Sequence, residues 1–491
     1  GESRRGSALA WWAVALLAAV GVALRVWLLA SRVGTIDSDE AAGALIAREL
    51  LDGHFSVFLW GNAYGGTLEA FPTAALFAVF GSGTVAAKGV MIGLYGVGAV
   101  LVWRVGRRTV GEAGARLAGV LFWVFPGAMV LISTKARLYY GSGLVLGLFV
   151  LLLCLRLDDR PERRDLALLG LVLGLAVWNN VQVGYLAVPA IAWLAVRRGR
   201  RLWRWAWLGA PGLVLGAAPW IAFNVRNGWP SLDEPGVPVA SSYPERLEGF
   251  FTHVLPMALG VRRSYLGTWV LGPAGKIVYL ALLAGFAWLL VRRRIPSLLA
   301  VVALAYPFVF AVPRSSFYVG EPRYALVLAP VLCLLLALGV TRMVSGRSPQ
   351  LVAAGVAVAA SVAVLGPIVE FEAPAYDLNP PRLGPLVSAL DRLGVRAAYA
   401  DYWLAYRLTF ETGERIVATP VAFVRHRPLD EEVRRAGAST FLLYRGSPED
   451  ARFRTALTQR GVPFERVPVS AFVIYSLGQP GADLRGLVGG A

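Results

Sequence analysis

Apolar runs of about twenty residues recur along most of this 491-residue chain, separated by short gaps that carry arginine. A run of that length matches the hydrocarbon thickness of a bilayer, and only helices or closed barrels satisfy their backbone there. The pattern is continuous rather than alternating, so it specifies helices. Composition agrees: 57% of residues are hydrophobic and 16% charged, with a mean hydropathy of +0.59. A soluble domain carries about 25% charged residues, so a cytosolic enzyme and a disordered chain are both excluded. The net charge of +17 would suggest nucleic acid in a soluble protein. Here the arginines sit between apolar runs, as the positive-inside rule requires, and no nucleic-acid partner is expected.

The first run, 9–30, follows Arg4 and Arg5 and is long enough to span, so it reads as a retained helix with its N-terminus inside. Further spans are expected at 84–103, 117–134, 138–155, 166–178, 183–196, 205–223, 273–291, 297–312, 324–341 and 351–369. The arginine-bearing gaps 104–116, 156–164, 197–204, 292–294 and 342–347 fall after every second span, which makes them inside loops. Segments 31–66, 135–137, 179–182, 224–272 and 313–323 then lie outside, with everything after Glu370. Residues 68–80 are apolar but too few for a full crossing, and are read as a partial or steeply packed helix. The expected fold is mainly α, a polytopic transmembrane helical bundle of about 11–13 segments. Arg25 near the outer end of the first run is expected to snorkel, with contact to an anionic ligand as the alternative.

Near Glu370 the apolar character ends, and Pro374, Pro380, Pro381 and Pro385 mark a junction. Beyond it, β-like runs at 396–402, 415–419, 440–445 and 468–477 alternate with helix-like 383–393 and 430–436. This predicts a small C-terminal extracytoplasmic α/β domain over 371–491, appended to a membrane domain over 1–370. Asp401, Tyr402, Trp403 and Tyr406 are candidates for a sugar-stacking surface, with core packing the expectation for at least two. Cys154 and Cys333 lie far apart in apolar runs, so no disulfide framework or structural zinc is indicated.

The chemistry concentrates in the outside loop 31–67. Asp37, Asp39 and Glu40 follow the first span within four residues, and Glu69 opens the next apolar stretch. A carboxylate at a membrane boundary is costly unless it pairs, binds metal or reacts. Asp37 as a helix N-cap, with Asp39 and Glu40 in the first turn, is the bland alternative. Asp39 with Glu69 is the stronger functional pair. Tyr64-Gly65-Gly66 is a turn whose glycines also permit close approach of a ligand.

Asp39-Glu40-Ala41, Ala47-Arg48-Glu49, Gly53 and Tyr64-Gly65-Gly66-Thr67-Leu68-Glu69-Ala70 together resemble the first periplasmic loop of GT-C-fold glycosyltransferases. The resemblance is to the protein O-mannosyltransferase and lipid A aminoarabinose transferase superfamily, glycosyltransferase family 39-like. Glu321-Pro322-Arg323-Tyr324 and the segment 402–410 extend it. It spans the chain in topology but only short motifs in sequence. Lys135-Ala136-Arg137-Leu138-Tyr139 lacks the aspartate many relatives carry there, a departure that bears on donor contacts and metal dependence.

The resemblance implies a multi-pass enzyme of the bacterial cytoplasmic membrane with its active site and C-terminal domain on the extracytoplasmic side. Its donor would be a polyprenyl-phosphate sugar, and its acceptor a glycan, glycolipid or protein hydroxyl. Asp39 is then the general base, with Glu40 and Glu69 completing the catalytic set. Asp37, Tyr64, Lys135, Arg137, Tyr139, Arg262, Arg263, Glu321, Arg323 and Tyr324 are substrate-binding candidates, the cations facing the leaving phosphate. For the basic residues, lipid headgroup anchoring is the alternative. No cofactor is required, though a divalent ion (Mg, Mn, Ca or Zn) on Glu69 and His54 stays open. Two other functions compete: a flippase for a lipid-linked substrate, and an O-antigen-ligase-like transferase built on loop 224–272.

Overall fold

The computed structural model describes residues 2–233, 241–264, 267–314, 321–344 and 381–489. The expected span 351–369, Tyr265 and the junction at 370–380 lie outside the described residues. The chain is a polytopic helical membrane protein with a small C-terminal sheet. It divides into two units, one of Gly1–Leu28, Met91–Thr134 and Tyr139–Asp377, the other of Leu29–Val90, Lys135–Leu138 and Leu378–Ala491.

Helices follow the apolar runs: α1 (Glu2–Ala30), α2 (Ser38–Leu51), α3 (Ala70–Phe80), α4 (Thr84–Thr109), α5 (Gly111–Val124), α6 (Gly127–Ile132), α7 (Tyr140–Asp159) and α8 (Arg163–Asn179). Then come α9 (Gly184–Trp203), α10 (Gly209–Gly216), α11 (Ala218–Asn227), α12 (Tyr243–Gly249), α13 (Leu255–Ala258), α14 (Pro273–Val291), α15 (Ser297–Phe310) and α16 (Ala329–Val344). Among the described residues, four helices are long and apolar enough to cross a membrane: Trp11–Ala30 within α1, then α4, α7 and α14. The run expected at 205–223 is a pair, Ala206–Gly216 and Ala218–Asn227, bent by 62°. The run expected at 117–134 is likewise broken into α5 and α6, at Phe125–Pro126, where proline removes a backbone donor. Helix α3 has 11 residues, about 16 Å at 1.5 Å per residue, half of a hydrocarbon core.

In the first unit, α8 and α10 meet backbone to backbone. A Cβ on Gly170 would overlap the carbonyl of Gly209, one on Gly174 that of Leu213, and one on Gly216 that of Leu171. Small residues four apart permit this approach, which is the usual means of helix association in lipid. Gly170→Leu is expected to lower stability by about 1–3 kcal/mol through overpacking. Thermal unfolding in detergent measures it, and an unchanged melting temperature would refute the close packing.

Arg25 does not snorkel. It is 1% exposed, donates from Nη1 to the carbonyls of Gly21 (2.8 Å) and Trp123 (3.0 Å), and lies 3.6 Å from the Trp123 ring centroid. Glycine at position 21 leaves room for that indole, so a buried cation–π contact replaces the expected reach to the surface.

The second unit holds a five-stranded sheet of β1 (Ala397–Ala400), β2 (Val417–Pro420), β3 (Thr440–Tyr444), β4 (Phe464–Val469) and β5 (Phe472–Leu477), in the order β2-β1-β3-β5-β4. Strand β1 runs parallel to β2 and β3, while β5 is antiparallel to β3 and β4. The run expected at 468–477 is the end of one strand and the whole of the next, joined by a turn with Ser470 at φ 52°. Helices α17 (Gly384–Arg392), α18 (Tyr402–Glu411), α19 (Arg427–Arg435) and α20 (Pro448–Gln459) cover the sheet. Period-two alternation supplies a core on each face. Ala398, Ala400, Leu442 and Ile474 pack with Leu386 and Leu404 on one side; Tyr399, Phe441 and Tyr475 pack with Val433 and Phe453 on the other. Tyr402, expected in a strand, instead begins α18.

Candidate active site

The second unit brings the loop carboxylates together with groups from distant segments. Asp37 caps α2: its Oδ1 accepts from the Glu40 backbone N–H, and Glu40 Oε2 accepts from the Asp37 backbone N–H, both at 3.0 Å. This reciprocal capping box satisfies two donors that a helix start otherwise leaves open. Arg137 Nη2 donates to Asp37 Oδ2 at 3.0 Å. Burial alone would raise the Asp37 carboxyl, but Arg137, Lys135 and the Glu40 N–H outweigh it and hold the group well below the usual carboxylate range. A carboxyl depressed in this way stabilises the fold fully above its unfolded value of about 4, and the contribution fades as pH falls below that.

Glu40 is completely buried. Its Oε1 accepts from Lys88 Nζ and from the Ala136 backbone N–H, each at 2.6 Å, while Lys135 Nζ stands 3.8 Å from Oε2. Lys88, in the first turns of α4, is also fully buried. Glu40, expected in the catalytic set, is therefore the anchor of a buried ion pair that ties α2, α4 and the 135–138 segment. Lys135 also donates to the carbonyl of Val33 at 3.1 Å.

Asp39 differs from both neighbours. Its side chain is 16% exposed. Oδ1 accepts from the Tyr402 hydroxyl and lies 3.5 Å from Arg425 Nη2. Among the described residues Oδ2 has only the 4.0 Å approach of Arg137 Nη1, beyond hydrogen-bond range. Arg425 Nε donates to the Tyr402 hydroxyl at 2.6 Å, and its Nη1 reaches Asn62 Oδ1 at 3.1 Å and the Trp60 carbonyl at 3.3 Å. The Trp60 ring stacks on His426 at 3.8 Å, and His426 Nε2 lies 3.0 Å from Glu49. Burial first, then Asp39, pushes the Tyr402 phenol up, so it is a neutral donor.

The other candidates are spread. Glu69 precedes α3, is 4% exposed, and its carbonyl accepts from Thr73. Tyr64 is exposed, next to Gly65 at φ 75°, in a turn closed by the Phe58–Gly66 bridge. His54 is exposed after α2. Among the described residues no three His, Cys, Asp or Glu side chains are grouped to hold a metal ion. The loop carboxylates Asp37, Asp39 and Glu40 are met by the cations Arg137, Arg425 and Lys88.

In the first unit, Arg262 is tied down by the carbonyls of Gly267 (2.6 Å) and Thr252. The Arg263 backbone N–H closes the same turn on Thr268. Arg323 lies 3.5 Å from Glu321 in the short helix Pro322–Ala325, with Tyr140 and Tyr324 rings 5.8 and 5.3 Å away. Tyr139 has a left-handed φ of 65° ahead of α7, and its carbonyl accepts from Asn179 and Asn180.

The aromatic surface expected at 401–406 is mostly structural. Asp401 caps α18 through the Trp403 N–H, Tyr406 is buried, and only Trp403, at 48%, is well exposed. Sequence reasoning missed Lys88 and Arg425. Lys88 did leave a signal, a lone cation inside an apolar run. Arg425 left none.

Solved structures match over nearly the whole chain. Apo ArnT from Cupriavidus metallidurans aligns with a TM-score of 0.67, covering 99% of this chain and 100% of that one at 16% identity. The chain has the GT-C fold. ArnT bound to undecaprenyl phosphate matches the same GT-C fold with a TM-score of 0.67, 15% identity, and coverage of 94% and 97%. The Archaeoglobus fulgidus oligosaccharyltransferase tethered to an acceptor peptide follows at 0.52, 13% identity, and coverage of 96% and 74%. Residues 68–223 match the family described as dolichyl-phosphate-mannose-protein mannosyltransferase. No curated protein matches by sequence.

Proposed function

We propose that the protein is a membrane glycosyltransferase that moves one sugar from a polyprenyl-phosphate donor to an acceptor hydroxyl, with Asp39 as general base. The observation that carries this is the inequality of the three loop carboxylates. Asp37 and Glu40 have their oxygens engaged by the capping box, Arg137 and Lys88, whereas Asp39 is held by one oxygen and keeps the other. A base needs a lone pair within reach of the proton it takes.

In the proposed step the acceptor O–H gives its proton to Asp39 Oδ2 as the oxygen attacks the anomeric carbon. The bond from that carbon to the phosphate oxygen breaks, and the electron pair leaves with the polyprenyl phosphate. A single displacement inverts the anomeric configuration. Arg137 and Lys135, in the same unit as Asp39, supply positive charge for the leaving phosphate. The resemblance of fold to an enzyme described bound to undecaprenyl phosphate supports a lipid phosphate donor. The match of 68–223 to a dolichyl-phosphate-mannose transferase family supports the same class. The site belongs on the extracytoplasmic face of a bacterial cytoplasmic membrane, where the arginine-bearing gaps leave the 31–67 loop outside. Glycans, glycolipids and proteins are all acceptors of suitable chemistry.

Purified protein mixed with radiolabelled polyprenyl-phosphate monosaccharides and a membrane extract is expected to transfer one of them with inversion at the anomeric carbon. Label that crosses proteoliposomes unchanged, without transfer, would contradict the reading in favour of a flippase. Transfer only from lipid diphosphates would contradict it in favour of a ligase-like enzyme.

A further inference from the structure

We infer that Tyr402 and Arg425 are positioning residues for Asp39, so that the C-terminal α/β segment completes the catalytic site of the first loop. The inference rests on the proposed role of Asp39 as base and goes beyond it, because neither residue belongs to the loop.

The direction of the hydrogen bonds follows from donor counting. A guanidinium has donors only, so the Tyr402 oxygen must accept from Arg425 Nε at 2.6 Å. The single phenolic proton is then committed to Asp39 Oδ1. Arg425 is itself fixed from the other side by Asn62 Oδ1 and the Trp60 carbonyl, and its backbone N–H donates to the Tyr406 hydroxyl at 2.8 Å. The relay runs from the 60–62 turn through Arg425 and Tyr402 to Asp39. It occupies Oδ1 and sets the plane of the carboxylate, which leaves Oδ2 in one orientation for an acceptor hydroxyl. A base held in one geometry avoids the cost of finding it during the reaction.

A merely structural role does not account for this relay, because the segment is docked without it. Arg48 donates to Ser82 (2.6 Å), Glu414 (3.2 Å) and the Phe410 carbonyl (3.0 Å). Phe77 stacks on Phe410, and Trp60 on His426. The Tyr402 ring keeps its own neighbours, Trp403, Tyr406 and Phe423, at 5.1, 6.1 and 5.7 Å. Loss of the hydroxyl alone therefore leaves the packing in place.

The charged and titratable groups facing Asp39 are Tyr402 from α18, Arg425 from the segment before α19, and Arg137 from the 135–138 segment. Asp37 and Glu40 flank it at the start of α2, with Lys88 and Lys135 against Glu40. Tyr402→Phe removes the donor that fixes Oδ1 and leaves the rest of the pocket in place, so its effect falls on kcat and not on donor KM.

The experiment compares wild type, Tyr402→Phe, Arg425→Gln and Asp39→Asn, all full-length in detergent with a polyprenyl-phosphate sugar that wild type uses. Tyr402→Phe is expected to lower kcat about 10- to 100-fold, with donor KM within about twofold. Arg425→Gln gives the same signature in the same direction, and carries the test should Tyr402→Phe fold poorly. Wild-type kcat in both variants, beside an inactive Asp39→Asn, would overturn the relay while sparing the base. A raised KM at unchanged kcat would also overturn it, since the hydroxyl would then be touching substrate. Full activity in Asp39→Asn would instead remove the reading on which the inference rests.

Discussion

Replacing Lys88 by methionine is expected to destabilise the protein by about 3–5 kcal/mol, the cost of leaving one member of a buried ion pair without its counter-charge. Lys88 and Glu40 are both fully buried and 2.6 Å apart. Without the ammonium, Glu40 retains only the Ala136 and Asp37 N–H groups and a distant Lys135. Glu40→Gln removes the negative member of the pair instead, while its amide oxygen still accepts from the Asp37 N–H. The double variant Glu40→Gln/Lys88→Met is expected to recover most of the loss, because two removed charges have no remaining mutual debt of desolvation. Thermal unfolding of the four proteins in one detergent closes the cycle. A Lys88→Met protein within about 0.5 kcal/mol of wild type would show that the pair does not hold α2 to α4.

Asp39→Asn is expected to do the reverse, sparing stability and removing activity. The side chain is partly exposed, and asparagine keeps an oxygen for the Tyr402 hydroxyl. A stability change within about 1 kcal/mol is expected, against a fall in kcat of about 10²- to 10⁴-fold, the usual worth of a positioned base. The contrast between positions 39 and 40 is itself informative. Adjacent carboxylates on one helical turn point to different environments, Glu40 into a buried ion pair and Asp39 to the Tyr402 hydroxyl.

The membrane runs and the acidic first loop were legible in the sequence, because both signals are local. Twenty-residue apolar runs, the arginine gaps and the capping pattern Asp37-x-x-Glu40 each lie within one segment of chain. What stayed hidden is long-range. The Tyr402 hydroxyl bonds a carboxylate 363 residues away, and no periodicity within 396–402 could show it. The start of α18 looks like strand in the sequence because Tyr399 and Tyr402 are both β-prone, and only the fold shows that Asp401 caps the helix and ends the strand. Arg25 was misplaced for a related reason. Snorkelling is a rule for arginines without a partner, and Trp123, which receives it, lies 98 residues further along. Breaks inside α5–α6 and α10–α11 were invisible because proline and glycine are common in membrane helices.

The measurement that bears most directly on the account is single-turnover transfer by Asp39→Asn, with donor binding measured on the same preparation. The account predicts donor affinity within about twofold of wild type and a transfer rate reduced at least about 100-fold. Transfer at the wild-type rate would contradict it, since a protein that moves the sugar without Asp39 takes the acceptor proton elsewhere.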